Sequence, residues 1–221
     1  MACIISRKNS QHMNKLIGTI SRKLVYMIAG LLLTSASAMT AKAEKGHVLI
    51  IPAANNIKSN HYYDDYIAKE MGVAVDSLDY YFNGSVTRHL QTLHDGDLEF
   101  TLVPETEKIA VTEDIEVSGE AESSVASVDK MSIDEYHNLL EKNKSEFLLV
   151  INQHYLKKME SGTMNTVFHI VSYTLFDKDK KQVNTSSLYY STMKLDKPNK
   201  MESQLKKTAS KIASKLEKAV S

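Results

Sequence analysis

The stretch that most constrains the fold is His47-Val48-Leu49-Ile50-Ile51-Pro52, an unbroken apolar run ended by proline. A strand with one wet face alternates polar and apolar residues. A strand without that alternation is buried on both faces. Such a strand needs cover above and below, which in a chain of this size means helices packed on a sheet. Phe147-Leu148-Leu149-Val150-Ile151 repeats the pattern and is expected to be a second central strand. Between them Val75, Leu78, Tyr81, Phe82, Val86, Leu90 and Leu93 recur at three- and four-residue steps, one apolar helix face. Asn83-Gly84-Ser85 interrupts that face and allows two helices in place of one. Asp95-Gly96-Asp97 reads as a turn, and Leu98 to Val103 as another strand.

Residues 104–130 hold eight acids and two lysines and are expected to form an acidic flexible loop. Ile109 to Val111 and Ile115 to Val117 are spaced for a short hairpin within it. Ser132-Ile133-Asp134-Glu135 is a capping box that opens a helix of roughly twelve residues. After the Phe147 strand the chain turns polar through Asn152 to His154, and Lys157 to Asn165 is expected to reverse it. Thr166 to Phe176 is a β-branched and aromatic strand, Asp177 to Lys181 a charged turn, and Leu188 to Leu195 the return strand. Met201, Leu205, Ala209, Ile212, Leu216 and Val220 mark one face of a long terminal helix. Lys200, Lys206, Lys207, Lys211, Lys215 and Lys218 lie off that face, against Glu202 and Glu217; such a face is solvated or meets an acidic surface. The expected architecture is α/β (α+β): a single domain without repeats, with helices on a mixed β-sheet and a long C-terminal helix.

The chain before this domain has a different character. Residues 1–43 carry six Lys or Arg and no acid. The apolar core Leu24 to Leu33 is followed by Ala36-Ser37-Ala38 and Ala41-Lys42-Ala43. That order is the order of a secretory signal peptide, cleaved after Ala38 or Ala43. A membrane anchor would need about 20 apolar residues, and this core is half that length. Met13 offers an alternative start. Cys3 precedes the apolar core and no cysteine follows it, so no lipid attachment is expected. Residues 44–221 then hold 21 basic and 27 acidic residues, a net charge of −6. That balance argues against nucleic-acid binding. Without cysteine, disulfides and thiolate metal sites are excluded from the processed chain.

Behind such a leader, Val48-Leu49-Ile50-Ile51-Pro52, the helix ending near Leu93, the strand Phe147 to Ile151 and the paired strands Val167 to Phe176 and Leu188 to Leu195 resemble the small envelope domains typified by the amino-terminal domain of the Tol translocation protein. The activator lipoproteins of peptidoglycan synthases and the curli secretion component are similar in the same way. The missing lipid cysteine departs from the lipoprotein members. The resemblance implies a non-catalytic module of the bacterial envelope, periplasmic or secreted, that binds an envelope protein.

The densest group of chemistry-bearing residues follows the first strand: Asn55, Asn56, Asn60, His61, Tyr62, Tyr63, Asp64, Asp65 and Tyr66. In open α/β sheets ligands bind beyond the carboxyl ends of strands. Aromatic rings with amides and carboxylates suit a glycan fragment, and an alternative function is a periplasmic carrier of such a small ligand or of a metal. The plain structural reading is an exposed loop and a helix start, with Asp64 or Asp65 at the positive end of the dipole. His154 and His169 would lie nearly opposite across a hairpin if residues 156–165 connect it, close enough to share a metal ion. No third ligand is evident, and solvent-facing side chains are the simpler expectation. Asp95, Asp97 and Glu99 fail as a calcium loop because position twelve is Thr106. No nucleophile elbow or glycine-rich phosphate loop occurs, and no cofactor is expected.

Overall fold

The computed structural model describes residues 45–161 and 164–221. The expected signal peptide, both cleavage sites and the alternative start lie outside the described residues.

β1 (Gly46–Pro52) occupies the position its apolar run demands. It lies between β3 (Leu98–Leu102) and β6 (Phe147–Ser161), parallel to both, in a mixed sheet of order β3-β1-β6-β7-β8. Val48, Leu49, Ile50 and Ile51 are wholly buried. β7 (Met164–Phe176) and β8 (Gln182–Thr192) add antiparallel ribbons, and the short β2 (Ile57–Ser59) joins the far end of β6. The mixed pairing follows from the connections. Early strands are linked through helices, whereas β7 and β8 are linked by the tight turn at Asp177 to Lys181.

Alternate residues of β1 divide between two cores. Val48 and Ile50 face α1 (Asp64–Met71), α2 (Leu78–Gln91) and α5 (Pro198–Val220), packing with Ile67, Phe82, Val86, Leu90, Leu205 and Ile212. Leu49 and Ile51 face α3 (Glu105–Glu113) and α4 (Ile133–Lys142), packing with Val111, Tyr136 and Leu139. The domain is therefore mixed α/β with helices on both sheet faces and a long C-terminal helix. α2 runs unbroken through Asn83-Gly84-Ser85, because Asn83 and Ser85 are buried and the segment packs as helix. The capping box at α4 is formed: the Glu135 amide donates to Ser132 Oγ at 3.2 Å and the Ser132 amide to Glu135 Oε2 at 2.9 Å.

Residues 104–130 are not the acidic loop expected from composition. They form α3, then a hairpin of β4 (Glu116–Ser118) and β5 (Val125–Ser127) around a short 3-10 turn at Ala121–Ser123. Ile109 to Val111 are helical, so the expected hairpin with Ile115 to Val117 does not form; Val117 pairs Ala126 instead. The acids lie outward while Val111, Ile115, Ala121, Ala126 and Val128 are buried beneath them. The polar end of the Phe147 strand and the neighbouring β7 supply the anchors. Gln153 Oε1 accepts from the Ala121 amide at 3.0 Å, Asn152 Nδ2 donates to the Ser124 carbonyl at 2.9 Å, and Thr174 Oγ1 accepts from the Ala126 amide. A bulge in β6 between Ile151 and Gln153 accompanies these contacts.

The reversal expected over Lys157 to Asn165 is also shorter than its composition suggested. β6 continues to Ser161, with Lys157 paired to Phe168 and Lys158 to Val167. Lysine stems alternate readily along a strand whose partners are β-branched or aromatic, so the charged stretch extends the ribbon.

Candidate functional site

The chain leaving β1 passes to the α1/α2 face, and the chain leaving β3 passes to α3 on the opposite face. Their carboxyl ends are adjacent, with Ile50 paired to Leu102 and the Val103 amide donating to the Ile50 carbonyl at 3.0 Å. Where two such connections part, a crevice opens at the strand ends. Here it has a volume of about 520 Å³, within the range of ligand pockets. One wall is Ala53, Asn55, Asn56 and Lys58; the others come from the start of α2 and from α3.

Asp64, Asp76, Asp79 and Glu105 line the crevice together with Lys58 and Lys108, and Lys108 Nζ lies 3.6 Å from Glu105 one turn back along α3. Val75 and Ile109 line it, and Tyr80 lines a neighbouring pocket that shares Asp76, Asp79, Glu105 and Lys108 with it; the three are 44%, 72% and 58% exposed. Three large apolar side chains left open at two adjoining concavities form an exposed apolar concentration on a surface otherwise rich in charge.

The wall after β1 is held by Asn56, which is buried. Its Nδ2 donates to the Ile151 carbonyl at 3.0 Å and to Asn83 Oδ1 at 3.1 Å, while its Oδ1 accepts from Asn83 Nδ2 at 2.6 Å. Asn83 also donates to Asp79 Oδ1 at 2.7 Å, which orients that carboxylate at the crevice wall. Asn55 sits in the left-handed region at φ 48°, a conformation that asparagine tolerates.

Of the nine residues singled out after the first strand, Asn55, Asn56 and Asp64 line this crevice. The others do not. Asn60 extends the β2–β6 ladder with its side chain, accepting from the Lys158 amide at 2.8 Å and donating to its carbonyl at 3.2 Å. His61 lies 3.1 Å from Lys158 Nζ on the same edge. Tyr62 stacks on Tyr66 with ring centroids 5.4 Å apart, and partial burial raises the Tyr62 hydroxyl above its ordinary pKa. Tyr63 precedes α1 and is exposed, and Asp64 and Asp65 occupy the first turn of α1, where carboxylates favour the helix dipole.

Sequence reasoning missed Lys58, Val75, Asp76, Asp79, Tyr80, Glu105, Lys108, Ile109 and Thr112. A signal for α3 was present: Pro104 followed by Glu105 and Glu107 is a helix start with acids in the first turn. The remaining residues become a group only through the divergence of two connections.

His154 and His169 share one face of the sheet, but not as directly opposed neighbours. His154 pairs Val171 and His169 pairs Leu156, an offset that follows from the longer ribbon. Neither faces solvent. His154 packs edge-on to Phe82 with centroids 5.7 Å apart, and His169 stacks on Tyr190 at 4.5 Å. Burial, with a smaller contribution from His169, drives the His154 pKa down to about 3. Burial likewise drives His169 down to about 4, partly offset by Asp196. His154 Nε2 and His169 Nδ1 have no hydrogen-bond partner among the described residues. Among the described residues no three His, Cys, Asp or Glu side chains group as a metal site.

No protein-family model matches the chain, and no curated protein does. Solved structures similar to it include the hypothetical protein CT253 from Chlamydia trachomatis, at 15% identity and a TM-score of 0.48, covering 80% of this chain and 98% of that one. They also include lipoprotein GNA1162 from Neisseria meningitidis, at 9% identity and a TM-score of 0.33, covering 76% and 99%. No helix among the described residues is long and apolar enough to cross a membrane.

Proposed function

We propose that this chain is an exported, non-catalytic binding module of the bacterial envelope, like the Tol-type domains it resembles, and that it engages an envelope protein at the crevice beyond β1 and β3. The observation that carries the reading is the exposure of Val75, Tyr80 and Ile109 at two adjoining pockets that share Asp76, Asp79, Glu105 and Lys108. Aromatic and aliphatic side chains that stay open around a concavity become anchors when a partner covers them. Asp76, Asp79, Glu105, Lys58 and Lys108 then select the partner by charge.

The test is capture of partners from an envelope fraction with the purified protein and with Ile109→Glu. Enrichment of an envelope protein by the first and its loss with the second is the expected result. Equal enrichment by both proteins, or by neither, defeats the proposal.

The polar lining favours a second reading, a carrier of a small glycan fragment held by Asn55, Lys58 and Asp64. It requires the melting temperature to rise when a peptidoglycan fragment is added, and Asn55→Ala to abolish the rise.

A further inference from the structure

The outer face of α5 carries a charge pattern that the crevice does not use. On a helix of 3.6 residues per turn, Lys200, Lys207, Lys211, Lys215 and Lys218 fall within an arc of about 80° and extend over about 27 Å. All five are exposed. The opposite face is buried through Met201, Leu205, Ala209, Ile212 and Leu216, so the stripe points away from the domain.

An ordinary solvated helix face interleaves both signs at steps of three and four. This one does not. Both acids of α5 are turned toward the domain: Glu202 lies 2.8 Å from His89 Nε2, and Glu217 accepts from the Asp97 amide at 3.2 Å. Lys200 is held by Asp196 at 2.9 Å, and Lys215 donates to Ser186 Oγ at 2.8 Å. Lys207, Lys211 and Lys218 have no carboxylate among the described ion pairs. Lys207–Lys211 and Lys211–Lys215 are like-charge pairs four residues apart, a spacing that opposes helix formation. The rest of the processed chain, residues 44–197, has 15 basic and 25 acidic residues, a net charge of −10. α5 has six basic and two acidic. The molecule therefore has one cationic edge on an anionic body.

We propose that this stripe docks the protein on an anionic phospholipid surface. The chemistry favours a bilayer over an acidic protein. α5 contains no arginine, and lysine is a compact point charge that answers diffuse negative charge, whereas carboxylate and phosphate clefts favour the planar guanidinium fork. The stripe follows one face of a continuous helix, so a flat surface meets the ammonium groups of Lys207, Lys211 and Lys218 at once. Gln204 and Ser214 lie among the lysines and offer nothing to insert, so attachment is electrostatic and parallel to the surface. The −10 body is repelled by the same surface and fixes the orientation.

The experiment is co-sedimentation of the purified protein with vesicles of phosphatidylglycerol mixed with phosphatidylcholine, and with phosphatidylcholine alone. Binding is expected to the anionic vesicles only, and to vanish at about 0.5 M salt, where the screening length is only a few ångströms. Each lysine near such a surface contributes roughly fivefold in partitioning, so Lys207→Glu, Lys211→Glu and Lys218→Glu together should lower it more than 100-fold. The matching triple change to arginine should bind within about threefold of the original, because a diffuse field reads charge alone. A melting curve for each variant separates lost docking from lost folding. No binding to anionic vesicles, equal binding to phosphatidylcholine, undiminished binding by the folded glutamate variant, or capture by poly-glutamate without vesicle binding would each overturn the proposal.

Discussion

Asn56 and Asn83 exchange two hydrogen bonds, 3.1 Å and 2.6 Å, joining the turn after β1 to the middle of α2. Both side chains are buried, so removing one amide strands the other in the core. Asn83→Ala is expected to cost about 1–3 kcal/mol in urea unfolding. Asn56→Ala should cost a similar amount or more, since Asn56 also donates to the Ile151 carbonyl. The double variant should lose clearly less than the sum, and strict additivity would mean that the pair is not coupled.

The buried histidines set an acid limit. Their folded pKa values, about 3 and about 4, lie below the ordinary 6.5, so between those values the unfolded chain binds more protons than the folded one. Stability is therefore full above pH 6.5 and falls as pH is lowered, by up to about 1.4 kcal/mol per pH unit for each histidine. Unfolding followed by circular dichroism from pH 7 to 4 should show this slope. His154→Leu should make it shallower and move the acid midpoint down; an unchanged slope would remove His154 from the account.

Gly119 has φ +77°, and a Cβ there would collide with the Ser123 carbonyl oxygen. Gly119→Ala should destabilise the protein by about 1–2 kcal/mol and expose the β4–β5 amides first. Hydrogen exchange can read this: faster exchange across β4 and β5 is expected while Leu49 and Val150 stay protected.

Ile212 is wholly buried in the core shared by α2 and α5. Ile212→Ala should cost about 2–5 kcal/mol. A loss below about 1 kcal/mol in denaturant unfolding would mean that α5 packs less tightly than its burial indicates.

The legible parts of this fold are those in which one periodicity dominates. The unbroken apolar runs of β1 and β6 announced a sheet covered on both faces, and the regular apolar faces of α2 and α5 announced the covering helices. The capping box at Ser132 and Glu135 marked the start of α4 to the residue, and the helix is ten residues long against the roughly twelve expected. Residues 104–130 were misread because their composition is acidic overall while the few apolar side chains do the packing, and because Gln153 and Asn152, which hold the segment, lie about thirty residues away. The histidines were misread for a related reason. Once the ribbon extends to Ser161, His154 and His169 fall on the face that α2 and α5 cover. At the crevice, Asn55, Asn56 and Asp64 follow a strand whose centrality was readable, but Glu105, Lys108 and Ile109 arrive on a different connection. Only the sheet order brings the two together.

The placement of α5 bears on when the chain can fold. β1, the first strand of the domain, has one face closed by α5, the last element of the domain in sequence. Val48 and Ile50 therefore wait for Leu205, Ile212 and Leu216 before their core is complete. A chain emerging from a ribosome or a translocation pore presents its strands long before that cover arrives. Final packing is thus postponed until α5 has passed, and premature folding is held off by the order of the elements themselves.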